Sequence, residues 1–188
     1  EDLWNRFKQA SSIINKKHQA YFDELHAKEN ENLEKKQALI DRLKEINIDK
    51  LKGNKQWEEA TEKVQAIQQE WRLIGFAPKK QNQTIYEEYR QLCDAFFKAK
   101  TAYYKGMRDE FAENLKKKRQ LVEEAESLKE STDWKETTDK LVELQKQWKA
   151  IGPVARKYSD DLWKMFTTAC DTFFEAKRVA TKEAREVF

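Results

Sequence analysis

Punctuation is what this chain has little of. Its 188 residues include four glycines and two prolines, and a sheet protein needs those residues to turn between short strands. Two cysteines are too few for a disulfide framework. The only histidines, His18 and His26, have no cysteine near them, so no zinc-ligand spacing is present. No apolar run approaches the ~20 residues that cross a bilayer, and the opening residues, EDLWNRF, are not a basic stretch followed by an apolar one. Glycine-rich phosphate loops, nucleophile elbows and H-E-x-x-H are missing too. With no catalytic signature, metal site or cofactor site legible, the expectation is a non-enzymatic protein without a cofactor, and the cytoplasm is the default compartment.

Charge and aromatic residues fill the space left. Charged residues make up 38% of the chain and hydrophobic ones 39%, with six Trp, six Tyr and ten Phe. Disordered chains lack that aromatic content, so a packed core is expected. A glycine-poor, highly charged sequence with apolar residues at three- and four-residue steps reads as long helices. The 37 basic and 34 acidic residues leave a net charge of +3. That balance is too even to imply nucleic acid or an anionic membrane by itself.

The chain is organised by a repeat. Trp57 to Gly75 reads WEEATEKVQAIQQEWRLIG and Trp134 to Gly152 reads WKETTDKLVELQKQWKAIG. Trp57, Ala60, Val64, Ile67, Trp71 and Ile74 match Trp134, Thr137, Leu141, Leu144, Trp148 and Ile151, the buried seam of an amphipathic helix. A second block occurs three times, from Leu3 (LWNRFKQASSII), Ile85 (IYEEYRQLCDAFF) and Leu162 (LWKMFTTACDTFF). Ser11, Cys93 and Cys170 share one slot in it, so the cysteines read as structural filler. A third block, ENLEKKQALI from Glu31 and ENLKKKRQLV from Glu113, follows the first two copies. Copies lie 82 residues apart up to this block and 77 after it, because KESTD replaces the longer NIDKLKGNK. Length changes belong in loops, so a turn between two helices lies there. A period near 80 residues marks a repeat protein.

Helix ends follow from the rare punctuation. Gly75 and Gly152, each followed by a proline (Pro78, Pro153), are expected to close the Trp helices as left-handed caps. Asp133 with Glu136, or Thr84 with Glu87, are candidate capping boxes, and Asn54 is the expected start of the first Trp helix. From Thr84 to about Lys129 only Gly106 interrupts, at a cost of about 1 kcal/mol, so one long helix is expected. The fold expected is therefore all-α: an elongated array of spectrin-like antiparallel three-helix bundles, about 30 Å per bundle, sharing long continuous helices. Residues 1–29 would be the closing helix of an upstream repeat, 30–106 the first three-helix repeat and 107–188 the second. The closing helix without its bundle should leave Trp4 and Phe7 less buried than Trp163 and Phe166.

The pattern L-W-x2-F, then F-F, then N-x3-K-x2-L, then W-x13-W-x3-G resembles a bacterial family, domain of unknown function 349. Asn32, Lys36 and Leu39 fit its middle block, as do Asn114, Lys118 and Leu121, and Gly152, Pro153, Val154 and Arg156 look like its turn. The first unit departs there, with Phe76 in place of proline and Lys79 in place of Arg156. The resemblance implies an intracellular bacterial helical repeat and brings no active site with it.

Two sets of cations are the candidate partner-binding residues. Lys36 and Lys118 fall inside the apolar register of the middle block. Each must snorkel, face a groove, or pair with a carboxylate, for which Asp94 and Asp171 are candidates. Lys79-Lys80 and Arg156-Lys157 stand at one offset after the glycines, near Phe76 and Tyr158. Such pairs can track a phosphate backbone; alternatively they complement the dipole at a helix C-terminus. The Trp residues read as packing rather than as a stacking platform. The function expected is an interaction scaffold or spacer with a protein partner and no membrane or small-molecule ligand. The alternative is RNA or ribosome association through the basic turns, which would gather all six cations on one face. On the packing reading, Trp148→Ala should cost about 3–5 kcal/mol of stability in urea unfolding; a near-neutral result would show that Trp148 is not core.

Overall fold

With so few breakers, the helices run long. The computed structural model describes residues 1–187. Helix α1 spans Asp2–Glu45, α2 Asn54–Leu73, α3 Lys79–Leu128, α4 Trp134–Ala150 and α5 Arg156–Val187. A single 3-10 turn, Ile48–Lys50, lies between α1 and α2, and no strand occurs among the described residues. That turn occupies the extra length that separates the 82- and 77-residue spacings. Gly106 sits inside α3, which is continuous for 50 residues as expected.

The chain divides into two compact units, Glu1–Ala102 and Tyr103–Phe188. In the second unit one buried cluster draws on three helices: Leu121, Val122 and Ala125 of α3, Leu141, Leu144 and Trp148 of α4, and Leu162, Phe166 and Phe173 of α5. The first unit buries the matching residues, with Leu39, Ile40 and Leu43 of α1, Val64, Ile67 and Trp71 of α2, and Ile85 and Phe96 of α3. Ring contacts repeat as well. Trp57 meets Phe96 at 5.6 Å and Trp134 meets Phe173 at 5.7 Å. Trp71 stacks on Tyr89 at 3.9 Å and Trp148 on Phe166 at 4.4 Å. The Trp near the start of each Trp helix meets the later ring of the next helix (Phe96, Phe173) and the Trp near its end meets the earlier one (Tyr89, Phe166), so within a unit the two helices are antiparallel.

Burying one such side chain contributes about 1.5–3 kcal/mol. The ion pairs between helices, Arg42 with Glu70 and Lys44 with Glu88, are about half exposed and screened by water. Packing therefore holds each unit together, and the ion pairs help to set register within it.

The helix ends differ from expectation in two places. Gly75 and Gly152 are not left-handed caps, since no glycine has a positive φ. Helix α2 ends at Leu73 and α4 at Ala150, and Ile74 and Ile151 leave in extended conformation, with ψ of 133° and 134°. The glycines serve close approach instead. A Cβ on Gly75 would lie 3.0 Å from Nδ2 of Asn32, and one on Gly152 would lie 2.9 Å from Nδ2 of Asn114. Those buried amides donate to the carbonyls of Phe76, at 2.9 Å, and Pro153, at 2.8 Å. Because the acceptor is the backbone, phenylalanine and proline serve equally at that site. Thr84, the other exception, lies inside α3 and caps nothing; the helix starts at Lys79, where the Pro78 carbonyl accepts from the amides of Gln81 and Asn82, and Asn82 Oδ1 accepts from Ala77. Asp133 does cap α4, accepting from the Glu136 amide at 3.4 Å.

Gly152→Ala should therefore cost about 1–3 kcal/mol, because the methyl displaces Asn114 and leaves a buried amide unpaired. Gly106→Ala, with open space around its Cβ, should stabilise by about 0.5–1 kcal/mol. Chemical denaturation of both variants checks the pair, and equal effects would contradict the close-approach account.

Candidate functional site

The lysines in the apolar register find an aromatic face, not a carboxylate. Lys36 is 7% exposed, and its Nζ lies 5.0 Å from the ring centroid of Trp71. Lys118, half-buried, places its Nζ 4.9 Å from Trp148. The expected partners are elsewhere: Asp94 pairs with Arg90 at 3.7 Å, and no ion pair joins Asp171 to Lys118 among the described residues. A ring face attracts a cation while its edges remain apolar, so this arrangement holds a charge inside a seam that a carboxylate would have to share with water. Desolvation by the surrounding helices holds the Lys36 ammonium below the ordinary lysine pKa.

The turn cations stand at the opposite helix end from that expected. Lys79 and Lys80 open α3, while Arg156 and Lys157 open α5. The expectation that they complement a C-terminal dipole is thus overturned: a helix N-terminus is its positive end. Neither first turn contains an acidic residue, and all four side chains are exposed. In the second unit the structure brings two cations onto one ring. Arg119 lies 5.3 Å and Lys157 4.9 Å from the centroid of Tyr158. In the first unit Gln37 and Gln81 stand in the places of Arg119 and Tyr158, while Lys80 keeps the place of Lys157. Lys36, packed on Trp71, is not displayed beside Lys79 and Lys80.

A larger feature than the cations lies on α1. Along the first part of α1, Leu3, Trp4, Phe7, Ile13, Ile14, Tyr21, Phe22 and Leu25 are all exposed. Phe7 is 62% exposed against 2% for its counterpart Phe166, as the spacing predicts for a closing helix without its bundle. Trp4 departs from that expectation. It is 59% exposed, but Trp163 is itself 54% exposed, and Tyr86 in the same slot 45%. One aromatic per copy faces outward, so not every tryptophan is core. The signal was available in the three-fold alignment: the Trp4 slot falls one residue away from the Leu3–Phe7 seam. Trp163 also borders a cavity of about 280 Å³ with Trp148, Phe166 and Cys170.

The cysteines and histidines sit in packing and ion-pair contacts. Cys93 and Cys170 are buried free thiols, and burial pushes both pKa values up, away from reactive thiolate. His18 stacks on Phe22 at 5.8 Å, and His26 lies 3.7 Å from Glu29. Among the described residues no group of three or more His, Cys, Asp or Glu is placed to hold a metal, and no helix among them is long and apolar enough to cross a membrane.

The family model described as Domain of Unknown Function (DUF349) matches residues 2–80 and again residues 84–157. Each match begins with the Leu3 or Ile85 block, so the family unit counts the closing helix first. No curated protein and no solved structure matches this chain.

Protonated Lys36 carries a desolvation cost that the Trp71 face, at about 0.5–2 kcal/mol, offsets only in part. Lys36→Met should therefore be at least as stable as the native chain near neutral pH. Because the folded state holds that proton less tightly than the unfolded chain does, native stability should rise relative to Lys36→Met as pH climbs toward 10.5, the ordinary lysine value. Denaturant titrations of both proteins at several alkaline pH values check this; a gap independent of pH would contradict it.

Proposed function

We propose, since the chain belongs to the family Domain of Unknown Function (DUF349), that it is a non-enzymatic interaction scaffold or spacer of the bacterial cytoplasm. Its three-helix units would repeat as a spectrin-like array in which a long helix such as α3 ends one bundle and opens the next. One observation carries the scaffold reading: the exposed apolar stripe from Leu3 to Leu25. Aromatic side chains left in water at helical spacing favour a packed protein partner, because apolar burial rewards contact with another apolar face.

The second reading is RNA or ribosome association. It is favoured by Lys79, Lys80, Arg156 and Lys157, which stand at positive helix ends with no acidic residue in the same turn. Cations so placed cost stability unless an anion is nearby, and exposed backbone amides in those turns would add to phosphate binding.

Pull-down from the cognate lysate, with and without ribonuclease, separates the two. The scaffold reading predicts protein partners that survive nuclease and are lost in Leu3→Asp/Phe7→Asp. Partners that vanish with nuclease, and are lost when the four turn cations become glutamate, would replace it with the RNA reading.

A further inference from the structure

The internal repeat identifies what fits the exposed stripe. Block residues Leu162, Phe166, Cys170 and Phe173 are 6%, 2%, 3% and 0% exposed, covered by the helix pair formed from the later part of α3 and α4. Ile85, Cys93 and Phe96 are likewise buried, at 5%, 5% and 3%. The same slots in the first block, Leu3, Phe7 and Ile14, are 81%, 62% and 59% exposed. The Trp4 slot, by contrast, is exposed in all three copies whether or not the helix is covered. The pattern of exposure is therefore that of a covered helix with its cover removed, and not that of a surface apolar all round.

We propose that residues 3–25 form a docking face for an antiparallel helix pair of this same repeat, supplied by a further unit outside residues 1–188. The proposal rests on the scaffold reading and names the partner class. Charge narrows the fit. In the first unit Lys44 pairs with Glu88 across the helix pair and closing helix, at 2.7 Å. The slot of Glu88 is Arg6 in the first block, and the slot of Lys44 is Glu126 in the second unit. A helix pair of the second unit's kind therefore presents glutamate to Arg6, where one of the first unit's kind would present lysine. Acidic residues also precede both blocks, Glu1-Asp2 before Leu3 and Asp160-Asp161 before Leu162.

The test supplies that helix pair in register. Residues 107–159 fused directly before Glu1 of the whole chain put Leu3 in the place that Leu162 takes after Ser159. Ser11→Cys provides the probe, since cysteine occupies that slot in the two covered blocks, and Cys93 and Cys170 serve as slow references within each molecule. Maleimide labelling of the Ser11→Cys thiol should be fast in the unfused chain and slow by more than about tenfold in the fusion, the change that ~1.4 kcal/mol of protection gives. Adding Phe7→Asp to the fusion should restore fast labelling, and a Trp4→Cys thiol should label at the same rate in fused and unfused chains. Lack of protection in the fusion would overturn the proposal, as would equal protection when two alanines are inserted at the junction. An unfused chain already protected, with the mass of a dimer, would also overturn it by making a second copy the occupant. None of these results bears on whether the lysate holds nuclease-resistant partners, so the scaffold reading stands or falls separately.

Discussion

An amphipathic helix cannot cover its own apolar stripe, and every arrangement in this protein answers that constraint. Two antiparallel helices leave a trough between them, and a third helix fills it with rings. Trp57 and Trp71 receive Phe96 and Tyr89 in one unit, while Trp134 and Trp148 receive Phe173 and Phe166 in the other. Side chains such as Ile40, Val64, Leu141 and Phe173, all at 0% exposure, supply the energy at about 1.5–3 kcal/mol each. Most ion pairs join residues three or four apart on the exposed face of a single helix, where water screens them.

Apolar packing alone tolerates sliding, and polar groups in the seam resist it. A buried asparagine can satisfy its amide only if a carbonyl arrives at one position, and a glycine must precede that carbonyl to admit it. Asn32 with Gly75 and Asn114 with Gly152 meet both conditions. One turn further along, Lys36 and Lys118 find the faces of Trp71 and Trp148. Asparagine, lysine, tryptophan and glycine thus form one register device per unit, which accounts for their fixed spacing in both copies without invoking a ligand.

Periodicity carried the helices, the long α3 and the seam residues, because three- and four-residue steps depend only on which face is dry. Conformation at Gly75 was not legible. Glycine at a helix end serves left-handed φ and close approach alike, and only the position of Asn32 decides between them. The partner of Lys36 was hidden for a similar reason: sequence spacing offers Asp94, but Asp94 points to Arg90 on its own helix. The turn cations were assigned to the wrong helix end because the helix after Pro78 starts sooner than Thr84 suggests, and α5 likewise opens at Arg156. Exposure of Phe7, in contrast, was expected from the repeat, because no helix pair precedes its block within residues 1–188.

The central claim is that coverage, and not helix propensity, orders these helices. Native-state amide hydrogen exchange along α1 tests it most directly, since one 44-residue helix contains covered and uncovered parts. The account predicts that amides of residues 3–25 exchange orders of magnitude faster than those of residues 33–43, while residues 162–173 of α5 are as slow as the latter. Uniform protection along α1 would contradict it, because a helix equally stable with and without its cover would owe nothing to packing.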